Sequence, residues 1–139
     1  MHFSKKSLKI MSVLAGTMLM GSIFAGCGDD AKSDEIKIGA NFELTGNVAN
    51  YGSATFDGLK LAIKEVNDAG GVNGKKITIV DADNKSEASE AVNAATKLIS
   101  DDKVKVVVGP AVTANVIAES QVATDDKIPV VAPDATSPE

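Results

Sequence analysis

The 139-residue chain contains no arginine and no tryptophan, and only one cysteine, one tyrosine and one histidine. Each scarcity removes a class of function. The histidine is His2, inside the leader described below, so the mature chain can form no Ser-His or Cys-His pair. A single cysteine, Cys27, forbids an internal disulfide. A net charge of −5 carried without arginine is a poor match for nucleic acid or for an anionic membrane surface. There is no Walker loop, and the glycines of "ELTGNVANYG" do not fit GxGxxG, which argues against a dinucleotide site. "DADNKSE" places acids at 81, 83 and 87 but lacks the glycine and closing glutamate of an EF-hand, so a solvated turn is expected there. Gly109-Pro110 stands where a response-regulator receiver needs an aspartate. With no acid, base or nucleophile cluster, the chain is expected not to be an enzyme and to use no metal or cofactor.

Lys5, Lys6 and Lys9 precede the apolar run "IMSVLAGTMLMGSIFAG", which ends at Cys27. The run is short for a membrane span and has the flanks of an export signal. "FAGC" resembles the lipobox of bacterial lipoproteins, with Phe24 where leucine is more usual. Cys27 is therefore expected to carry lipid and to tether the protein outside the cytoplasm, on the outer side of the cytoplasmic membrane or in a periplasm. The alternative is a plain secretory signal. Residues 1–26 form the signal peptide and 27–35 a small, charged tether. Loss of the three leader lysines takes the formal charge from −5 to −8.

From residue 36 onward strands alternate with helices. "EIKIGANF" sets Ile36, Ile38, Ala40 and Phe42 on one face of a strand. "GSATFDGLKLAIKEVNDAGG" spaces Phe56, Leu59, Ile63 and Val66 for a helix that Gly70-Gly71 ends. A second strand follows through Ile77 and Ile79. A second helix runs over "SEASEAVNAATKLIS", with Ser86 or Asn84 as its cap. Valines 104 to 108 form a third strand, "TANVIAESQVATDD" a weaker third helix, and "KIPVVAP" a fourth strand. This order predicts an α/β fold: an open parallel sheet with helices on both faces, Rossmann-like. The second strand reads as a sheet edge, the third and fourth as central. Four strands ending in "DATSPE" are expected to be part of a larger unit.

In such sheets ligands bind at the carboxyl ends of the strands, where helix N-termini present free N–H groups. Three loops point there: "ELTGNVANYG", "GPAVT" and "APDATSPE". Thr113, at the start of the third helix, is either a plain N-cap or a ligand contact. Tyr51 is either a packing residue at the helix entry or a binding aromatic.

"TGNVANYG", "NDAGGVNGKKI", "VVVGPAVT" and "PVVAPDATSPE" resemble, in order and spacing, the branched-chain amino-acid substrate-binding proteins of ATP-binding cassette transporters. The resemblance covers residues 35–139 and implies a two-lobed protein of the periplasmic-binding-protein type I fold. Residues 36–139 would then be most of the first lobe. It also implies an amino-acid ligand, delivery to permease subunits, and four ligand-binding residues. Thr113 would hold the ligand carboxylate, Asp134 would offer its carbonyl to the ammonium, Thr136 would reach the carboxylate, and Tyr51 would lie beside the ligand. Asp134 departs from a position that is usually small and neutral. Lys85 and Val112 stand where some relatives carry a disulfide. Two rivals remain: a sensory ligand-binding domain of the same fold, and an enzyme of flavodoxin-like architecture.

Overall fold

The computed structural model describes residues 35–137. The expected signal peptide, Cys27 and nearly all of the expected tether lie outside the described residues. Residue 35, expected at the end of the tether, instead opens the first strand.

The elements run β1 (Glu35–Phe42), α1 (Ala49–Asp68), β2 (Lys76–Asp83), α2 (Ala88–Ser100), β3 (Val107–Val108), α3 (Thr113–Asp125) and β4 (Val130–Val131). The four strands form one parallel sheet in the order β2-β1-β3-β4. β1 and β2 pair along their full length, from Glu35 opposite Lys76 to Phe42 opposite Asp83. The regular β3 ladder is short, yet the valine run lies alongside β1 from further back. Lys105 N–H donates to the Lys37 carbonyl at 2.9 Å, and Gly39 N–H to the Val106 carbonyl at 2.8 Å.

β1 alternates between two buried environments. Phe42 turns toward α1, its ring centroid 5.8 Å from that of Phe56. On the opposite face, a side chain at Gly39 would meet Leu98 and Val104 at 3.2 Å, so glycine lets α2 lie close to the sheet. The main core fills this side, with Leu98, Ile99, Val104, Val107 and Ala123 packed under Val80, Ala82, Val122, Ile128 and Val130. Truncating Leu98, which is fully buried, removes contacts worth about 2–5 kcal/mol in cores of this kind. Helices thus cover both faces, as the alternation predicts.

Two expectations are corrected. Where a central place was expected, β4 lies at one end of the four strands among the described residues, and Val131 is exposed. Neither Ser86 nor Asn84 caps α2, whose N-cap is Glu87 without a side-chain bond. Both side chains are engaged elsewhere. Ser86 Oγ donates to the Thr45 carbonyl at 2.8 Å and accepts from Val48 N–H at 3.3 Å. Asn84 Oδ1 accepts from Ser86 N–H at 3.0 Å, while Asn84 Nδ2 donates to Asn41 Oδ1 at 3.3 Å. The turn is spent on holding the β1–α1 loop.

Candidate functional site

The strand order changes direction between β1 and β3, because the chain leaves β1 toward β2 and later returns on its other side. In open parallel sheets the loops after two such strands diverge and leave a crevice at the carboxyl edge. Tyr51 stands in the first turn of α1, after β1, and Thr113 opens α3, after β3.

The first loop is pinned from below. Asp83, the last residue of β2, accepts from Leu44 N–H at 3.0 Å, Thr45 N–H at 3.1 Å, Lys85 N–H at 2.8 Å and the Thr45 hydroxyl at 2.6 Å. Partial burial opposes its ionisation. The Thr45 hydroxyl and the three N–H groups outweigh that effect and hold the carboxyl below the usual carboxylate range. This is what "DADNKSE" is built for, and among the described residues no three His, Cys, Asp or Glu side chains converge as a metal would require. Gly52 seats α1 at the same place. A Cβ there would lie 2.3 Å from the Glu43 carbonyl oxygen, so only glycine lets the helix rest on the end of β1. Tyr51 is left 65% exposed beside it.

The second loop turns sharply at Gly109. Its φ is +107°, and a Cβ would sit 2.0 Å from the Asn41 carbonyl oxygen, which excludes any side chain. Beyond the buried Pro110, α3 begins with Val112 as N-cap, and no side chain caps it from within the helix. The capping role open to Thr113 is therefore not realised: Thr113 is the first helical residue, and its Oγ1 accepts from Ser137 N–H at 3.3 Å. The inner side of the turn is satisfied by Glu43 instead. Glu43 Oε2 accepts from Ala111 N–H at 3.0 Å, and Oε1 accepts from Val112 N–H at 3.3 Å and Asn115 Nδ2 at 2.8 Å. The N–H groups of Thr113 and Ala114 remain, among the described residues, without a protein acceptor. They belong to the orphan donors that every helix start presents, and they carry its positive dipole end.

The loop after β4 joins the two sides. Asp134 Oδ2 takes a hydrogen bond from the Thr55 hydroxyl, which also lies 3.0 Å from the Tyr51 carbonyl. With one hydrogen, the hydroxyl serves one of these acceptors at a time. Three residues on, Ser137 reaches Thr113, with the exposed Thr136 beside it. The chain thus brings Tyr51, Asp134, Thr136 and Thr113 to one edge of the sheet. The Asp134 carboxylate is turned onto α1, while its backbone stays with the loop.

Five polar residues not expected from sequence lie buried behind this edge: Asn41, Glu43, Asn84, Asn115 and Glu119. Asn41 Nδ2 reaches Glu119 Oε2 at 2.7 Å and the Ala91 carbonyl at 3.0 Å, and Asn115 Nδ2 lies 3.5 Å from Asn84 Oδ1. For Asn41 and Glu43 the sequence holds a signal, a polar residue at alternate positions of a strand end between apolar neighbours.

The model of a family described as periplasmic binding protein matches residues 35–139. The leucine-specific-binding protein of Salmonella typhimurium is 30% identical over 125 residues, which is 90% of this chain and 34% of that protein. Leu/Ile/Val-binding protein homolog 1 of Brucella abortus is 38% identical over 105 residues, or 76% of this chain and 28% of that protein. Among solved structures, the branched-chain amino acid transporter substrate binding protein LivJ from Streptococcus pneumoniae, in complex with isoleucine, superposes with a TM-score of 0.74. It is 46% identical, with 75% of this chain and 30% of that one covered. A substrate-binding protein of an ABC transporter from Desulfitobacterium hafniense, in complex with Leu, gives a TM-score of 0.66 at 27% identity, over 75% of this chain and 30% of that one. The chain spans about a third of the length of the curated relatives it matches.

Proposed function

The chain belongs to the periplasmic binding protein family, and from that premise we propose that it is the first lobe of an extracytoplasmic amino-acid-binding lipoprotein serving an ATP-binding cassette importer. The ligand is an aliphatic, branched-chain amino acid, and the partners are the permease subunits. The lipid on Cys27 keeps the protein at the membrane; no helix among the described residues is long and apolar enough to cross one.

The observation that carries this is the first turn of α3. Two N–H groups that have no protein acceptor among the described residues stand with the Thr113 hydroxyl at a helix N-terminus, where a carboxylate gains both hydrogen bonds and the dipole. Around it stand acceptors and surfaces suited to the rest of an amino acid. The Asp134 carbonyl receives the ammonium, the Thr136 hydroxyl gives a further bond to the carboxylate, and the Tyr51 ring lies against the ligand. Relatives of this fold hold isoleucine and leucine. The second lobe closes over the same edge and supplies the side-chain pocket.

Substitution at Thr113 tests the proposal. A hydrogen bond from the hydroxyl to a charged group contributes about 1.5–3 kcal/mol. Thr113→Ala in the complete protein therefore raises Kd roughly ten- to a hundredfold, at about 1.4 kcal/mol per decade. Thr113→Ser keeps the hydroxyl and stays near the parent. Calorimetric titration with isoleucine reads both, and an unchanged Kd for Thr113→Ala contradicts the assignment.

A further inference from the structure

We propose that Glu43 is the positioning residue of the carboxylate site: by fixing Ala111, Val112 and Asn115 it sets where the first turn of α3 points. The inference rests on the role given to Thr113 above. Glu43 is fully buried, so it acts on a ligand only through the turn it holds. It follows directly on β1, which is paired on both sides, and so offers the turn a fixed reference. Its partners lie 68, 69 and 72 residues away in sequence, so no local geometry would hold them to it.

The chemistry of the contact requires a carboxylate. Three donors converge on its two oxygens, the Ala111 and Val112 N–H groups and Asn115 Nδ2. An amide in the same place offers one acceptor oxygen and turns an NH2 group toward at least one of those donors. The turn then shifts to relieve the clash, and the Thr113 hydroxyl and the adjacent N–H groups move with it. The same carboxylate occupies only the inner side of the helix start and leaves the crevice side to the ligand.

The alternative is that Glu43 is a buried plug whose loss lowers stability and nothing else. Two variants of the complete protein separate these roles, with isoleucine as probe and melting measured beside affinity. In Glu43→Gln, Kd rises roughly tenfold, equivalent to about 1.4 kcal/mol, at a temperature where the variant is folded. In Glu43→Gln/Asn115→Asp the donor and acceptor are exchanged: the new amide donates to the aspartate, which at the third helical position also reaches back to Val112 N–H as in a capping box. That variant returns Kd to within about threefold of the parent. If Glu43→Gln does not fold, Asn115→Ala replaces it, and a Kd raised about threefold or more carries the same meaning. A Kd within about twofold of the parent in the folded single variant, whatever its melting temperature, overturns the proposal. Thr113→Ala is titrated alongside. If it weakens binding and Glu43→Gln does not, only the positioning role fails; if neither does, the assignment of the site fails and this inference with it.

Discussion

Glu119 is buried among groups that do not favour its charge. Among the described residues it accepts one hydrogen bond, from Asn41 Nδ2, and its Oε1 has no partner. Burial, only partly offset by Asn41 and reinforced by the negative Glu43, pushes its carboxyl up to about 8. The consequence for stability has a definite sign. Below the ordinary value of 4.5, Glu119 is protonated in both the folded and the unfolded chain and imposes no cost. Between 4.5 and about 8 the unfolded chain ionises while the folded one keeps its proton, so folding loses up to about 1.4 kcal/mol for each pH unit. Above about 8 the cost is constant. Glu119→Gln removes this dependence, so the unfolding free energies of parent and variant, measured by denaturant titration from pH 5 to 9, diverge as pH rises. Parallel curves would mean that Glu119 is ionised in the folded protein. Nothing in the local sequence announces this group, because a glutamate in a helix is ordinarily a solvated residue.

At the scale of elements, α1 and α3 show what patterning reveals and what it hides. The face of α1 was legible in Phe56, Leu59 and Ile63, all half-buried in the structure, whereas Val66 is exposed. The third helix reads as weak because Asn115 and Glu119, four residues apart, occupy the buried face that continues to Ala123. Polar residues there satisfy contacts from β1 and from the turn after β2, partners 31 to 78 residues distant that no periodicity can register. The caps failed for a related reason, since Ser86, Asn84 and Thr113 each bond to another loop or strand instead of along their own helices. Close approaches are equally invisible in a pattern. Gly52 looks like one more glycine in a helix, yet a methyl group there would lie 2.3 Å from the Glu43 carbonyl oxygen. Gly52→Ala must lift α1 from the end of β1 and carry Tyr51 and Thr55 with it. A loss of roughly 1–3 kcal/mol in stability is expected for such overpacking. Binding also weakens, because Thr55 and Tyr51 then lose their register with Asp134. Gly58→Ala on the same helix, where an added Cβ meets nothing within 4 Å, is the control and leaves both properties near the parent. Equal behaviour of the two variants would contradict the role given to Gly52.

For the whole molecule, the alternation of elements was enough to foresee a parallel sheet covered by helices on both faces, and β1 runs over the residues that its pattern marks. The edge was legible as a location: sheet topology alone sends the loops after β1, β3 and β4 to one edge, and Tyr51, Thr113, Asp134 and Thr136, the residues proposed to hold the ligand, lie on or just after those loops. What supports them from behind was not. If this edge receives an amino acid by its carboxylate at the start of α3, removing the ligand's negative charge must weaken binding. Calorimetric titration of the complete protein with isoleucine, leucine and valine, each paired with its carboxamide, tests it most directly. Saturable binding of at least one free amino acid is expected, with a loss of roughly tenfold or more for its carboxamide, which lacks the charge that the helix end and Thr113 would hold. Equal affinity for acid and carboxamide, or no binding of any of the three amino acids, would contradict it.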